Sequence, residues 1–351
     1  MKICLYTDNH FTTYSSTVRG RGDKYSVRLE NQIKSIQWAE DLAVDKGCGK
    51  IICLGDFFDS ANLSAEELTA LKDIKWADNI EREFLVGNHE MGSNDSVYNS
   101  TNALSKYGKV IDKPMIDCGF GYELFYLPYI VESNRKPLAE YIKETQNEYY
   151  AGMFTTQEVK QRIILSHNDI KGLQFGQFIS KQGFELKEIY DSCSLFINGH
   201  LHNQQQINDK MLNLGNLTGQ NFSEDALKYS HCAAILDTDT LKVELINNPY
   251  ALNFYKFDFT TQENIEETLL RCRNGVVTAK VYESQLQYIK SFIKDKCDII
   301  ECRLISVADH KKIDDTCKLE LTTINHIEKF KEYLLKTIEN TDILLEELNN
   351  L

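Results

Sequence analysis

Short apolar runs alternate with amphipathic stretches through the first 250 residues. Apolar runs that end in polar or glycine-bearing turns predict strands at Lys2–Thr7, Lys50–Gly55, Glu83–Gly87, Leu124–Pro128, Arg162–Ser166, Leu195–Asn198 and Met211–Leu214. Apolar positions recurring at three- and four-residue steps predict helices at Val27–Asp45, Ala65–Trp76, Val97–Tyr107 and Leu138–Thr145. His231–Ile246 reads as a hairpin, with AAIL and KVELI flanking the turn residues DTDT. Strands and helices in this alternation predict an α/β fold of stacked sheets with helices outside.

The pattern changes after residue 250. Tyr255–Val307 reads as a small α+β module: helix Gln262–Cys272, strand Val276–Val281, helix Ser284–Lys294, strand Ile299–Ser306. Polar residues His310–Asp315 read as a linker, and Leu319–Leu351 as one or two amphipathic helices carrying Leu321, Ile324, Ile327, Phe330, Leu334 and Leu335. Such a stripe either packs on its own domain or docks a partner. The expected organisation is therefore residues 1–250, a module at 251–310 and a helical tail at 316–351.

Composition narrows the setting. With 42% hydrophobic and 26% charged residues, the chain is ordinary for a folded soluble protein. Its start, MKICLYTDNH, is too short for a signal peptide, and no apolar run approaches the ~20 residues of a membrane span. Ten cysteines without a CxxC or framework spacing predict reduced thiols in the cytoplasm. A formal charge of −13 argues against an autonomous nucleic-acid binder, because neutralising phosphates needs Lys and Arg. It does not exclude a nuclease, since bound metals place positive charge where phosphate sits and a partner subunit can add more.

Candidate chemistry gathers at predicted strand ends. Five of the eight histidines lie there: His10, His89, His167, His200 and His202. The first strand ends in Asp8-Asn9-His10 and another in Gly199-His200-Leu201-His202. Residues two apart on extended chain point to one side, so each pair can reach one ion. The remaining ends carry Gly55-Asp56-Phe57-Phe58-Asp59, Gly87-Asn88-His89-Glu90 and His167. Glycines before three of these groups are expected to let the backbone turn beside the site. In α/β folds ligands collect at carboxyl ends of strands. Asp8, His10, Asp56, Asn88, His167, His200 and His202 form a nitrogen and oxygen set without thiolate, suited to manganese, iron or zinc rather than calcium. They serve two ions only if one carboxylate is shared.

In that order, DxH, GDxxD, GNHE, a lone His and GHxH resemble the calcineurin-like metallophosphoesterase superfamily over residues 8–202. The resemblance implies two stacked β-sheets flanked by helices, and two divalent metal ions, with manganese ahead of magnesium, iron and zinc. It puts Asp8, His10 and His202 on the first metal, Asn88, His167 and His200 on the second, and Asp56 between them. His89 becomes the acid or phosphate-orienting group, with Asp59 as its carboxylate partner, and a hydroxide bridging the metals attacks phosphorus in line.

Further segments are similar to one branch, the SbcD/Mre-type DNA repair and recombination nucleases. GDFFD at Gly55–Asp59 is close to that branch's GD(I/L)FD. Tyr122–Asn134 (YELFYLPYIVESN) matches its strand-then-LPW segment, and Asn213–Glu224 (NLGNLTGQNFSE) its glycine-containing strand and FxE ending. The module after residue 250 looks like a nuclease capping domain, and the tail like a segment that docks an SbcC-type coiled-coil ATPase. Layout is most similar to the phage recombination endonuclease subunit. This implies a DNA exonuclease or endonuclease of recombination, repair and replication, cytoplasmic, including in a bacterium hosting a phage. It implies a homodimer as well, placed at Ala65–Trp76 and Val97–Tyr107, although core packing explains their periodicity equally well.

Two other classes compete. Phosphomonoesterases and protein phosphatases resemble GDxxDRG, with an Arg gripping phosphate, whereas Ser60 and Ala61 follow Asp59 here. A small-molecule phosphodiesterase would not need the C-terminal modules, and a non-enzymatic scaffold would be expected to have lost ligands. Val18–Arg28 carries Arg19, Arg21, Lys24 and Arg28. It is either a loop tracking a DNA backbone, with Arg19 and Arg21 as substrate-binding residues, or a solvated loop.

Overall fold

Both faces of the principal strands are apolar, and each face finds its own core. On β1 (Lys2–Tyr6), Cys4 and Tyr6 face one cluster and Ile3 and Leu5 another. β2 (Lys50–Cys53) repeats the division, as Ile51 and Cys53 against Ile52. Parallel strands buried on both sides read as continuous apolar runs for this reason. The structure, a computed structural model, describes residues 1–151, 161–175 and 178–309. Met1–Ser306 forms one compact unit and a second begins at Val307. The expected linker His310–Asp315 and helices of Leu319–Leu351 lie outside the described residues.

The first sheet of the larger unit runs β14 (Val243–Asn247), β13 (Cys232–Asp237), β1, β2, β3 (Glu81–Leu85), β4 (Lys109–Ile111). β1 to β4 are parallel, and β13 returns antiparallel against β1 with Cys4 opposite Ile235. The second sheet runs β11 (Gln205–Asn208), β12 (Met211–Asn213), β10 (Leu195–Asn198), β7 (Gln161–Ser166), β6 (Tyr122–Leu127), β5 (Met115–Gly119), with β12, β10, β7 and β6 parallel. Ile3, Leu5, Ile52, Leu85, Ile163, Leu165 and Ile197 fill the space between the sheets. α1 (Val27–Asp45) and α2 (Ala65–Ala70) cover the first sheet, and α3 (Leu138–Tyr149) and α4 (Leu186–Ser192) the second. β8 (Gln174–Phe175) and β9 (Phe178–Ile179) make a short antiparallel pair. The fold is α/β, two mixed sheets flanked by helices.

A third sheet, β15 (Asn253–Asp258), β16 (Gly275–Tyr282), β17 (Ile299–Val307), packs with α5 (Ile265–Leu270) and α6 (Leu286–Lys296) around Phe257, Phe259, Leu269, Val281 and Ile289. The sequence pattern showed its helices and last two strands but missed β15, which carries the chain in from the first two sheets. Val18, Leu252, Phe254 and Val276 form a separate buried cluster where that sheet meets the rest of the unit.

Three expected helices are shorter than their periodicity suggested, one of them α5, which keeps Ile265–Leu270 of the expected Gln262–Cys272. α2 has a full capping box, Ser64 with Glu67, yet ends at Ala70 and passes through a 3₁₀ turn, Leu71–Asp73. Ile74 and Trp76 both face the same core, and residues two apart share a side only on extended chain. At Val97–Tyr107 only Ser100–Leu104 is helical, as a 3₁₀ turn. Ser93 Oγ accepts from the Tyr98 amide, and Asp95 Oδ1 from the Val97 amide and from Ser93 Oγ. Such local bonds offer the backbone an alternative to helix.

Candidate metal centre

Five loops bring the chemistry together, each leaving the carboxyl end of a parallel strand: β1 gives Asp8 and His10, β2 Asp56, β3 Asn88 and His89, β7 His167, β10 His200 and His202. Several of these residues take the turn themselves. Asp8 (φ 50°), His10 (48°), Asp56 (48°) and His200 (73°) all occupy the left-handed region that side chains with a Cβ avoid. Strain of this kind persists where surrounding structure over-determines it, typically at functional sites. Of the preceding glycines only Gly55 has positive φ; Gly87 and Gly199 provide room instead. A Cβ at Gly55 would strike the His167 ring, and one at Gly87 the Asp56 carboxylate.

Two clusters result, and a third group, His10, Asp59 and His89, shares His10 with the first. Asp8 Oδ1 lies 3.8 Å from His10 Nε2 and 3.9 Å from His202 Nε2, and the two imidazole nitrogens lie 3.0 Å apart. Asp56 Oδ2 lies 3.1 Å from His167 Nε2, and Asn88 Oδ1 2.9 Å from His200 Nδ1. Asp56, His167 and His200 bring their ligand atoms within 4.8 Å of one another. Asp56 also lies 3.9 Å from His10 Nε2, so it stands between the clusters.

The second nitrogen of each ring explains which atom faces inward. His10 Nδ1 meets Asp59 Oδ1 (3.1 Å), His202 Nδ1 Glu224 Oε1 (2.8 Å), His167 Nδ1 the Leu54 carbonyl (2.7 Å) and His200 Nε2 Asp169 Oδ1 (3.1 Å). Carbonyls and carboxylates only accept, so those nitrogens carry a proton, and in the neutral rings that metal binding needs the opposite ones present lone pairs. In the neutral rings the lone pairs of His10 and His202 would meet head-on, buried Asp8 Oδ1 has no hydrogen-bond partner, and buried His167 Nε2 faces Asp56 Oδ2 at 3.1 Å. This is an arrangement that cations complete: nitrogen and oxygen donors, held from behind, converging from two sides.

Charge is balanced within the clusters. Burial opposes ionisation of Asp8, yet His167 and His10 outweigh it and hold the carboxyl down at about 2. Burial likewise opposes charge on His10 and His167. The Asp59 hydrogen bond lifts His10 to about 10, and the Asp56 charge lifts His167 to about 9. Burial and the Asp56 charge push Glu90 up to about 7, although it accepts from the Gly87 and Phe58 amides and so ties two ligand loops together.

His89 sits at the rim, 42% exposed, edge-on to His10 with ring centroids 4.6 Å apart. Its amide donates to Asp56 Oδ1 at 3.0 Å. The expected pairing with the Asp59 carboxylate differs in detail. That carboxylate is committed to His10 and lies 3.7 Å from His89, whose Nδ1 meets the Asp59 carbonyl at 3.1 Å. Asp59 therefore reaches both rings, one through its side chain and one through its backbone. Arg19 Nε bonds the Ser16 carbonyl, its amide meets Glu301 on β17, and Arg21 pairs with Glu66. Asp169, Glu224 and Glu90 received no role from the sequence. His167-Asn168-Asp169 has the same two-residue spacing as Asp8-Asn9-His10, a signal that could have shown the first.

The family model described as calcineurin-like phosphoesterase matches residues 1–230, and the chain belongs to that family. Metal-dependent phosphoester hydrolysis is the activity that goes with this membership and with the two donor clusters. Among curated proteins none matches. Solved structures similar to the chain include a novel archaeal phosphodiesterase, at 13% identity and TM-score 0.33 over 70% of this chain and 99% of that one. The protein TT1561 of Thermus thermophilus is similar at 10% identity and TM-score 0.40, over 70% and 98%. A dimetal phosphatase from Danio rerio is similar at 12% identity and TM-score 0.39, over 70% and 98%. The family assignment rests on the sequence match. No helix among the described residues is long and apolar enough to cross a membrane.

Proposed function

We propose that the protein hydrolyses phosphodiester bonds of DNA with two divalent ions, manganese foremost, as an exonuclease or endonuclease of SbcD/Mre type. The observation that carries this reading is the loop after Asp56. It offers GDFFD followed by Ser60 and Ala61, without the arginine that grips a phosphomonoester dianion, and the Ser60 carbonyl accepts from Ser100 Oγ. A diester carries one negative charge and needs no such grip. Resemblance over Tyr122–Asn134 and Asn213–Glu224 supports the same branch.

In this reading Asp8, His10 and His202 hold one ion, Asn88, His167 and His200 the other, and Asp56 contributes to both. Bound ions would act as Lewis acids toward the phosphoryl oxygens and would acidify a water. His89 orients the phosphate and, with Nδ1 bonded to the Asp59 carbonyl, delivers a proton from Nε2 to the leaving oxygen. An SbcC-type coiled-coil ATPase remains the proposed partner, and a homodimer the proposed assembly.

The test compares linear double-stranded DNA, single-stranded DNA and a generic phosphomonoester, each with manganese and with EDTA. DNA cleavage abolished by EDTA is expected. Hydrolysis of the monoester alone would replace the nuclease reading with a phosphatase.

A further inference from the structure

Helix α1 buries more than an apolar stripe: Arg28, Asn31, Gln32 and Ser35 are buried beside Leu29 and Ile36. Placing an amide and a guanidinium there is costly unless each is well bonded. Two of these side chains hold the strained loop that carries Asp8 and His10. Gln32 Nε2 donates to the carbonyls of Asn9 (2.9 Å) and His10, while its Oε1 accepts from the Thr12 amide at 3.0 Å. Arg28 donates to the Gly219 carbonyl and to Gln220 Oε1. Gln220 passes the restraint on, because its Nε2 donates to the carbonyls of Asp8 and Asn9, both at 3.3 Å. Its amide donates to Glu224 Oε2 at 2.6 Å, and Glu224 holds His202 Nδ1.

Asp8, His10 and His202 thus share one network rooted on α1. The other cluster has side-chain supports of its own, His200 by Asp169 and His167 by the Leu54 carbonyl, and meets the first through the His200 amide on Asp8 Oδ2 (2.9 Å) and the His10 amide on the Asp56 carbonyl (3.0 Å). We propose that Arg28, Gln32 and Gln220 are positioning residues that preorganise the Asp8–His10–His202 metal site and leave the Asp56–His167–His200 site to its own supports. The inference rests on the two-ion reading of the centre.

Manganese binding by equilibrium dialysis, with electron paramagnetic resonance of the bound ions, tests both in the full chain. The native protein should bind two ions as a spin-coupled pair. Gln32→Leu, which keeps volume but removes the amide, and Gln220→Ala should each weaken one ion by about 10–100-fold and keep the other. The coupled spectrum should give way to that of an isolated ion. Gln220→Ala combined with Asp169→Asn should weaken both ions, whereas Gln220→Ala combined with His202→Ala should add little to His202→Ala alone.

Equal weakening of both ions in the single variants, or native affinity for both, would overturn the proposal. If Gln32→Leu lacks a cooperative melt, Gln220→Ala decides by the same readouts. Fewer than two ions on the native chain would overturn the two-ion reading itself, and this inference with it.

Discussion

His89 and Asp56 stand beside each other in the site but do different work. His89 is exposed at the rim and bonded to backbone, so His89→Ala leaves the convergent donors intact. Turnover should fall about 10²–10⁴-fold, the usual contribution of a positioned acid, with metal content unchanged. Asp56 stands 3.1 Å from His167 and 3.9 Å from His10, so Asp56→Ala should lose both ions. Metal analysis of the two purified variants checks this, and a His89→Ala protein without metal would contradict the assignment. The raised imidazoles give a pH prediction. At neutral pH and without metal, His10 (about 10) and His167 (about 9) are protonated. Their stabilisation is present in full below the ordinary imidazole value of about 6.5 and is lost as pH rises through those values. The metal-free protein should therefore melt lower at pH 10 than at pH 7. Metal uptake needs neutral imidazoles, so loading at pH 7 should release protons and affinity should climb with pH. Calorimetry in buffers of different ionisation enthalpy measures that release, and its absence would refute the linkage.

Among elements, legibility followed the reach of the determinant. α1 ends where its periodicity predicted, and β1, β2, β7 and β10 fall within a residue or two of expectation. The convergence of the seven candidate donors was legible from their order along the chain, which the parallel strands gather. The extended-chain reading of the two-residue pairs was not: Asp8, His10 and His200 have positive φ, and His200 and His202 join different clusters. What supports those donors was not legible. Asp59 to His10, Glu224 to His202 and Gln32 to the His10 carbonyl join residues from different elements. No periodicity records such a pairing. The periodicity of α1 gave no sign that its polar residues Arg28, Asn31 and Gln32 are buried. The edge strands β5 and β11 and the short helix α4 were missed, since brief, partly polar segments carry little pattern. The loop at Val97–Tyr107 failed in the opposite direction: its apolar spacing was real, but serine and aspartate side chains captured the backbone first.

At the scale of the whole unit, the third sheet is more than an appendage to the metal-binding sheets. The loop from Gly219 to Glu224 holds both Gln220 and Glu224, and residues beyond 250 stitch its ends. The Gly219 amide donates to the Leu252 carbonyl at 3.1 Å, the Leu252 amide to Thr218 Oγ1 at 2.9 Å, and the Ala226 amide to the Phe254 carbonyl at 3.0 Å. Leu252 and Phe254 are buried against Val18 and Val276. A chain ending at residue 250 would lose these bonds, leave Val18 uncovered and free the loop that orients His202. It should melt well below a chain ending at residue 309 and bind its first manganese ion more weakly. Phe254→Ala asks the same question with one side chain. Removing a buried Phe costs about 3–5 kcal/mol, so the melt should fall and the Asp8–His10–His202 site should weaken more than its neighbour. Thermal melts and manganese isotherms of these proteins decide the matter. Equal stability and equal metal binding for the chains ending at 250 and 309 would show that the loop holds His202 without help from the third sheet.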